Sequence, residues 1–217
     1  MVGAGHQAFF QVAAVLTVLH NIKEVMVYDP INCKLAIDFC NEIKLRLKKE
    51  ILSKYQDDKI YAENLYKKFD INFIATDNIK SSTEEADIIV TATPSRKPLI
   101  KKEWVKKGTH LTCIGADMEG KQEIDENIFS IARIFVDDIE QAINVGETEI
   151  PIKKSIITKE SIIGEIGEVI LGKVSGRISK DDITIFDSTG IAHQDLLTAN
   201  YSIKTAQKRN LGTVVEL

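Results

Sequence analysis

Cysteine is scarce in this 217-residue chain: Cys33, Cys40 and Cys113 are the three present. Their odd number and the lack of any Cys-x-x-Cys spacing exclude a disulfide framework and a thiolate metal site, and they suit a reducing compartment. The four histidines, His6, His20, His110 and His193, show no ligand spacing, so no metal is expected. Long apolar runs are missing too, and none approaches the ~18–20 residues of a membrane-crossing helix. No basic stretch followed by an apolar core and a cleavage site opens the chain, which reads as cytoplasmic and without a membrane partner. Neither sign of charge dominates, the net charge being −4, and there is no basic stripe. Nucleic acid is therefore not expected as a partner. Repeats, low-complexity tracts and Gly/Ser linkers are absent as well. What remains, 44% apolar and 28% charged residues, is a globular composition. A chain of this length can hide roughly 70–75% of its extended surface.

The apolar periodicity alternates between helix and strand. After an apolar stub, Met1-Val2, a glycine-rich turn comes at once, and residues 6–19 carry Ala8, Phe9, Val12, Ala13, Val15, Leu16 and Leu19 at helical intervals. A short apolar run over 25–29 ends in Asp29 and is stopped by Pro30, which predicts a strand. Helical spacing resumes over 33–54, and the interspersed lysines mark a solvated face. Further strands are predicted at 71–75, 87–92, 110–114, 134–137 and 183–186. Helices are predicted at 82–86, from about 140, over 161–171 and over 190–209. Short β-rich runs alternating with helices predict an α/β fold, a parallel sheet covered on both faces.

Gly3-Ala4-Gly5-His6-Gln7-Ala8 fits the pattern G-x-G-x-x-G/A. The first glycine permits a tight turn, the second lets the backbone approach a pyrophosphate, and the small third residue lets helix and strand pack closely. The pyrophosphate would rest on unpaired N–H groups at the helix start, where the dipole favours an anion. Asp29 closes the next strand at the distance where a carboxylate accepts a ribose 2′-hydroxyl and repels a 2′-phosphate. That pair predicts NAD rather than NADP. Thr91-Ala92-Thr93-Pro94-Ser95 ends another strand, where ligands collect in doubly wound sheets, although these residues equally suit an ordinary turn. Gly115-Ala116-Asp117 ends a third; its Asp is either a turn cap or a general acid/base facing the same crevice. Cys113, inside an apolar run, reads as a core thiol.

Several stretches in order resemble the ornithine cyclodeaminase and mu-crystallin family, which includes alanine dehydrogenases. They are Gly3–Ala8 with Gln11, Ala86–Ser95, Gly108-Thr109-His110, Gly115-Ala116-Asp117 with Gly120-Lys121-Gln122-Glu123, and Val136-Asp137-Asp138. Ile166–Ile170, Gly172, Gly176-Arg177 and Ser188–Asp195 complete the set.

The resemblance implies a Rossmann-like doubly wound parallel sheet lacking most of its first strand, with a long C-terminal helix. Residues 1–187 would form the NAD-binding domain. Residues 188–217 would form a helix packing on an N-terminal domain that makes a homodimer and half the substrate pocket. It also implies a cofactor site made by Gly3, Ala4, Gly5, His6, Gln7, Asp29, Thr91, Ala92, Thr93, Ser95, Gly115, Ser188 and Gly190. Asp117 would be the catalytic acid/base acting at the amine of a small amino acid. The implied activity is conversion of ornithine to proline and ammonia through an imine; alanine dehydrogenase or cyclic ketimine reductase is the alternative, as is a non-catalytic NAD-binding fragment. The Arg and Lys residues that grip the substrate carboxylate in this family belong to the N-terminal domain. This chain therefore reads as a C-terminal portion, complete only when an N-terminal portion, separately encoded or in frame, is present, and with little turnover of its own.

Overall fold

The computed structural model describes residues 1–55, 57–213 and 215, so the end of the predicted segment 188–217 lies outside the described residues. Nine strands are described: β1 Glu24–Val27, β2 Asn72–Ala75, β3 Ile88–Thr91, β4 Arg96–Ile100, β5 His110–Cys113, β6 Gln122–Ile124, β7 Ala132–Val136, β8 Ile162–Glu165 and β9 Ile183–Asp187. The α-helices are α1 His6–Val18, α2 Cys33–Arg46, α3 Lys59–Phe69, α4 Ile79–Glu85, α5 Ile139–Ala142, α6 Glu149–Lys153, α7 Ile166–Ile170 and α8 Ala192–Lys208.

Every recorded strand pair is parallel. One ladder is β1–β2, another runs β3-β5-β9-β7-β8, and β4 pairs β6 apart from both. Val2 joins the first two, bridging Tyr28 on one side and Thr91 on the other, both in parallel. The abbreviated first strand thus lies between β1 and β3, with β2 outside β1 and β5, β9, β7 and β8 beyond β3. Strand order reverses there, which is the doubly wound arrangement and its switch point.

Two apolar clusters hold the layers. Phe9, Val12 and Leu16 of α1 pack with Val27 of β1, Phe39 and Ile43 of α2, and Leu65 and Phe69 of α3. Ile89, Leu111, Ile134 and Ile185 of the five-stranded ladder pack with Ile100, Ile124, Ile128 and Phe129. Burying one such side chain is worth about 1.5–3 kcal/mol. By contrast, α8 contributes no buried residue; Leu196, Leu197 and Tyr201 are exposed along it.

Local structure departs from expectation in several places, and α3, α6 and β6 were not predicted at all. The segment predicted as one helix over 161–171 is strand β8 followed by α7. Its apolar residues serve both elements, and the carboxylates of Glu165 and Glu168 form a capping box that starts the helix only there. Helix α4 begins at Ile79 rather than Ser82, because Asn78 accepts the Ser81 N–H at 3.1 Å and caps it earlier. The helix predicted over 33–54 leaves α geometry after Arg46. Unpredicted β4 contains Arg96, Lys97 and Pro98, a composition confined to sheet edges, and its register against β6 shifts between Arg96 and Ile100.

Candidate functional site

The glycine turn sits where strand order reverses. Val2 N–H donates to Val90 O at 2.8 Å, Ala92 N–H donates to Val2 O at 2.9 Å, and Gly3 N–H donates to Tyr28 O at 2.7 Å. Gly3 has φ +97°, and a Cβ there would lie 2.5 Å from Ala92 O, so both conformation and space require glycine. Gly5 is different. It precedes α1 in extended conformation, φ −81°, and a Cβ would meet nothing within 4 Å. The protein leaves that volume open at the start of a 13-residue helix with no side-chain cap and no acid in its first turn. Ala8 is fully buried, which lets α1 press onto the sheet.

Asp29 ties this turn to its neighbours. Its Oδ2 accepts the Ala4 N–H at 3.1 Å, while Oδ1 accepts the N–H groups of Ile31 at 3.0 Å and Asn32 at 3.1 Å. The half-buried carboxylate keeps lone-pair capacity for a further donor. Ala4 N–H, in contrast, is directed to Asp29. His6 and Gln7 are exposed, and the His6 ring stands edge-on to Phe10.

The other turns converge on the same place. Besides Ala92 O, the missing Gly3 side chain would meet the Thr93 methyl at 3.1 Å, and a Cβ on Gly115 would lie 2.2 Å from Thr93 O. The ends of the abbreviated strand, β3 and β5 are therefore in contact. Thr91 and Thr93 are both buried; the Thr93 hydroxyl donates to Glu123 Oε1 at 2.7 Å, and Ser95 Oγ donates to Lys97 O at 2.7 Å. What these turns offer a ligand is mainly backbone at Ala92 and Gly115. Ser188 N–H donates to Cys113 O at 2.9 Å, which brings the end of β9 beside that of β5. Asp137 holds the loop beyond, accepting the N–H groups of Thr189 at 2.7 Å and Gly190 at 2.8 Å. Asp117 is exposed and pairs with Lys121 Nζ at 2.5 Å.

Sequence reasoning assigned no role to Glu123, Glu147, Asp137 and Asp187, four buried acids behind these turns. Glu123 grips the β3 and β5 turns, accepting from Thr93 N–H at 2.6 Å and Gly115 N–H at 2.9 Å. Glu147 accepts the N–H groups of Glu123 at 2.5 Å and Ile124 at 3.3 Å, and Asp187 accepts the Thr148 N–H at 2.9 Å and hydroxyl at 3.0 Å. Burial raises all three affinities for a proton. It pushes Asp187 up to about 7, and it lifts Glu147 well above the carboxylate range with help from the charges of Glu123 and Asp187. Burial and the same acids raise the Cys113 thiol, which marks it as inert. The available signal was a carboxylate at a strand's carboxyl end, as at Asp137 and Asp187. Glu123, inside a short strand, carries no such signal.

Among the described residues, no cluster of three or more His, Cys, Asp or Glu is placed to hold a metal ion, and no helix is long and apolar enough to cross a membrane. The profile of the ornithine cyclodeaminase/mu-crystallin family matches residues 44–210. This chain belongs to that family. It is 38% identical over 217 residues to an alanine dehydrogenase of Archaeoglobus fulgidus, covering 99% of this chain and 58% of the relative. It is 34% identical to an iminosuccinate reductase of Paracoccus denitrificans, covering 100% and 59%. Among solved structures, a Δ(1)-pyrroline-2-carboxylate reductase of Thermococcus litoralis in complex with NADH and L-proline superposes with a TM-score of 0.82 at 30% identity, covering 99% of this chain and 59% of that one. The chain thus spans somewhat under 60% of the length of the relatives it matches.

Proposed function

We propose that this chain is the cofactor-binding part of an NAD-dependent enzyme that acts at the carbon–nitrogen bond of a small amino or imino acid. The observation that carries this reading is the convergence of the turns at Gly3–Gly5, Ala92-Thr93 and Gly115 at the switch point, with open space at Gly5. The fit to a dinucleotide is physical: the space at Gly5 is open just before α1, whose first turn has no side-chain cap and no acid. The N–H groups of that turn bind the pyrophosphate. Asp29 accepts a ribose hydroxyl and disfavours a 2′-phosphate. The backbone at Ala92 and Gly115 lines the rest of the cofactor. NAD, when bound, supplies hydride transfer. Asp117 holds or moves a proton at the substrate nitrogen, and Lys121 fixes its position.

Full-span identities of 38% and 34% to a dehydrogenase and a reductase support oxidation or reduction of the carbon–nitrogen bond as the leading activity. Ornithine cyclodeamination is the second reading, favoured by the family resemblance. Homodimerisation and a cytoplasmic location are part of the same proposal, as is dependence of turnover on an N-terminal portion. Mass-spectrometric product analysis, with that portion supplied, tests it. Alanine from pyruvate and ammonia, or proline from Δ(1)-pyrroline-2-carboxylate, each with NADH consumed, supports the leading reading. Proline and ammonia from ornithine without net change in NAD⁺ supports the second, and no product from any of these with NAD(H) bound overturns both.

A further inference from the structure

Asp117 and Met118 are exposed, yet the chain that follows them is held at several points. The Lys121 N–H donates to Met118 O at 3.2 Å, closing a β-turn whose third residue, Gly120, has φ +73°. A positive φ at that position favours glycine. The turn brings Lys121 Nζ back to Asp117 Oδ1 at 2.5 Å. Its anchor comes from 29 positions away. Glu149, the first residue of α6, is buried, and its Oε2 accepts the Gly120 N–H at 2.9 Å. Its Oε1 accepts from Lys153 Nζ at 2.6 Å, and the same ammonium reaches Glu119 Oε1 at 2.8 Å. The Glu119–Lys153 pair is exposed and contributes little by itself. The buried Glu149 carboxylate is cut off from water and depends on the two donors it has, one backbone N–H and one ammonium. The anchor is also continuous with the interior. Glu147 accepts the N–H groups of Glu123 and Ile124, and Thr148 donates to Asp187. Residues 147–149 therefore fasten the chain after Asp117 at Gly120, Glu123 and Ile124, and join it to the end of β9.

We propose that Glu149 is a positioning residue for Asp117: by holding the Gly120 N–H it fixes the turn that carries Lys121, and with it the place of the Asp117 carboxylate. The inference rests on the reading of Asp117 as the acid/base of the proposed function. A group that transfers a proton must lie within hydrogen-bond reach of the atom it serves. A displacement of ~1 Å costs on the order of 10²-fold in rate. Glu149 acts through the turn and not on the substrate. The backbone that lines the cofactor has a separate clamp, because Glu123 holds the N–H groups of Thr93 and Gly115. Loss of Glu149 therefore frees the Asp117 turn and leaves the cofactor contacts in place.

The test joins amide hydrogen exchange on the 217-residue chain to kinetics with the N-terminal portion supplied. In Glu149→Ala, exchange at Gly120 speeds about tenfold or more, since its N–H has lost a buried acceptor. In the same variant kcat falls about ten- to a hundredfold, while KM and NADH affinity stay within about twofold. Glu149→Gln keeps an oxygen for the Gly120 N–H and restores slow exchange and most of kcat. Should Glu149→Ala fail to fold, Glu149→Asp takes its place. It keeps the charge beside Lys153 on a side chain one methylene shorter, and the same losses are expected. Unchanged exchange at Gly120 overturns the proposal whatever the kinetics. Faster exchange with normal kcat overturns it, as does a rise in KM alone. Asp117→Asn, measured alongside, separates the two readings. A loss of about two to four decades there beside normal kcat in Glu149→Ala sinks this proposal alone. Normal kcat in Asp117→Asn, or a parent without turnover, sinks the proposed role of Asp117 and this inference with it.

Discussion

Glu123 accepts two hydrogen bonds from a single residue, Thr93: its Oε1 takes the N–H at 2.6 Å and the hydroxyl at 2.7 Å. Its Oε2 takes the Gly115 N–H, so one buried carboxylate sets the distance between the turns after β3 and β5. Glu123→Ala would leave these buried donors unpaired, at a cost of about 1–3 kcal/mol each. With three such donors, urea unfolding is expected to show a loss of at least about 3 kcal/mol, and NAD(H) affinity should fall because the backbone at Ala92 and Gly115 is no longer held. An unchanged midpoint with unchanged affinity would remove Glu123 as the clamp.

Asp187 makes stability depend on pH in a direction opposite to that of paired surface carboxylates. Burial, aided by Asp137, raises it from 3.8 to about 7, so the folded state holds a proton that the unfolded chain releases near 4. The stabilisation is fully present below about 4 and is lost as pH rises to about 7. Asp187→Asn lacks this term. The Tm of the parent relative to that variant should decline between pH 4.5 and 7.5; a constant difference would show that Asp187 does not titrate in this window.

Gly3 and Gly5 lie in one motif but should fail differently. Gly3→Ala places a side chain on Ala92 O at a positive φ, and thermal melting should show a destabilised protein. A Cβ at Gly5 meets nothing within 4 Å, so the Tm of Gly5→Val should stay within a few degrees of the parent while NAD(H) binding is lost. Retained binding in Gly5→Val would move the phosphate site elsewhere.

The motif was legible because its spacing encodes a backbone shape, and the strand ends at Asp29, Thr91 and Gly115 were marked by Pro30, Pro94 and glycine. The buried acids were not. Glu123 and Glu147 show no local pattern, and Asp187 shows only its place at the end of a strand, since their donors come from residues up to 39 positions away and only the folded chain brings them together. Strand β8 was hidden for a related reason: Ile162 and Ile163 continue the apolar run of α7, and only pairing with β7 separates the two.

Asp117→Asn keeps the shape of the side chain but cannot exchange a proton at useful pH. With the N-terminal portion supplied, kcat should fall by about two to four decades while NAD(H) affinity barely changes. A turn-capping role would instead lower the Tm and leave kcat within a few-fold of the parent. Steady-state kinetics and a melting curve on this one variant separate the two.

The reading of the turn at Gly3–Gly5, closed by Asp29, as an NAD site is open to direct test. Isothermal titration of the 217-residue chain with NADH and with NADPH measures this directly. NADH should bind saturably at one site and NADPH more weakly, with the preference narrowed in Asp29→Ser. Equal or tighter binding of NADPH by the parent, or no binding of NADH by the folded chain, would contradict it.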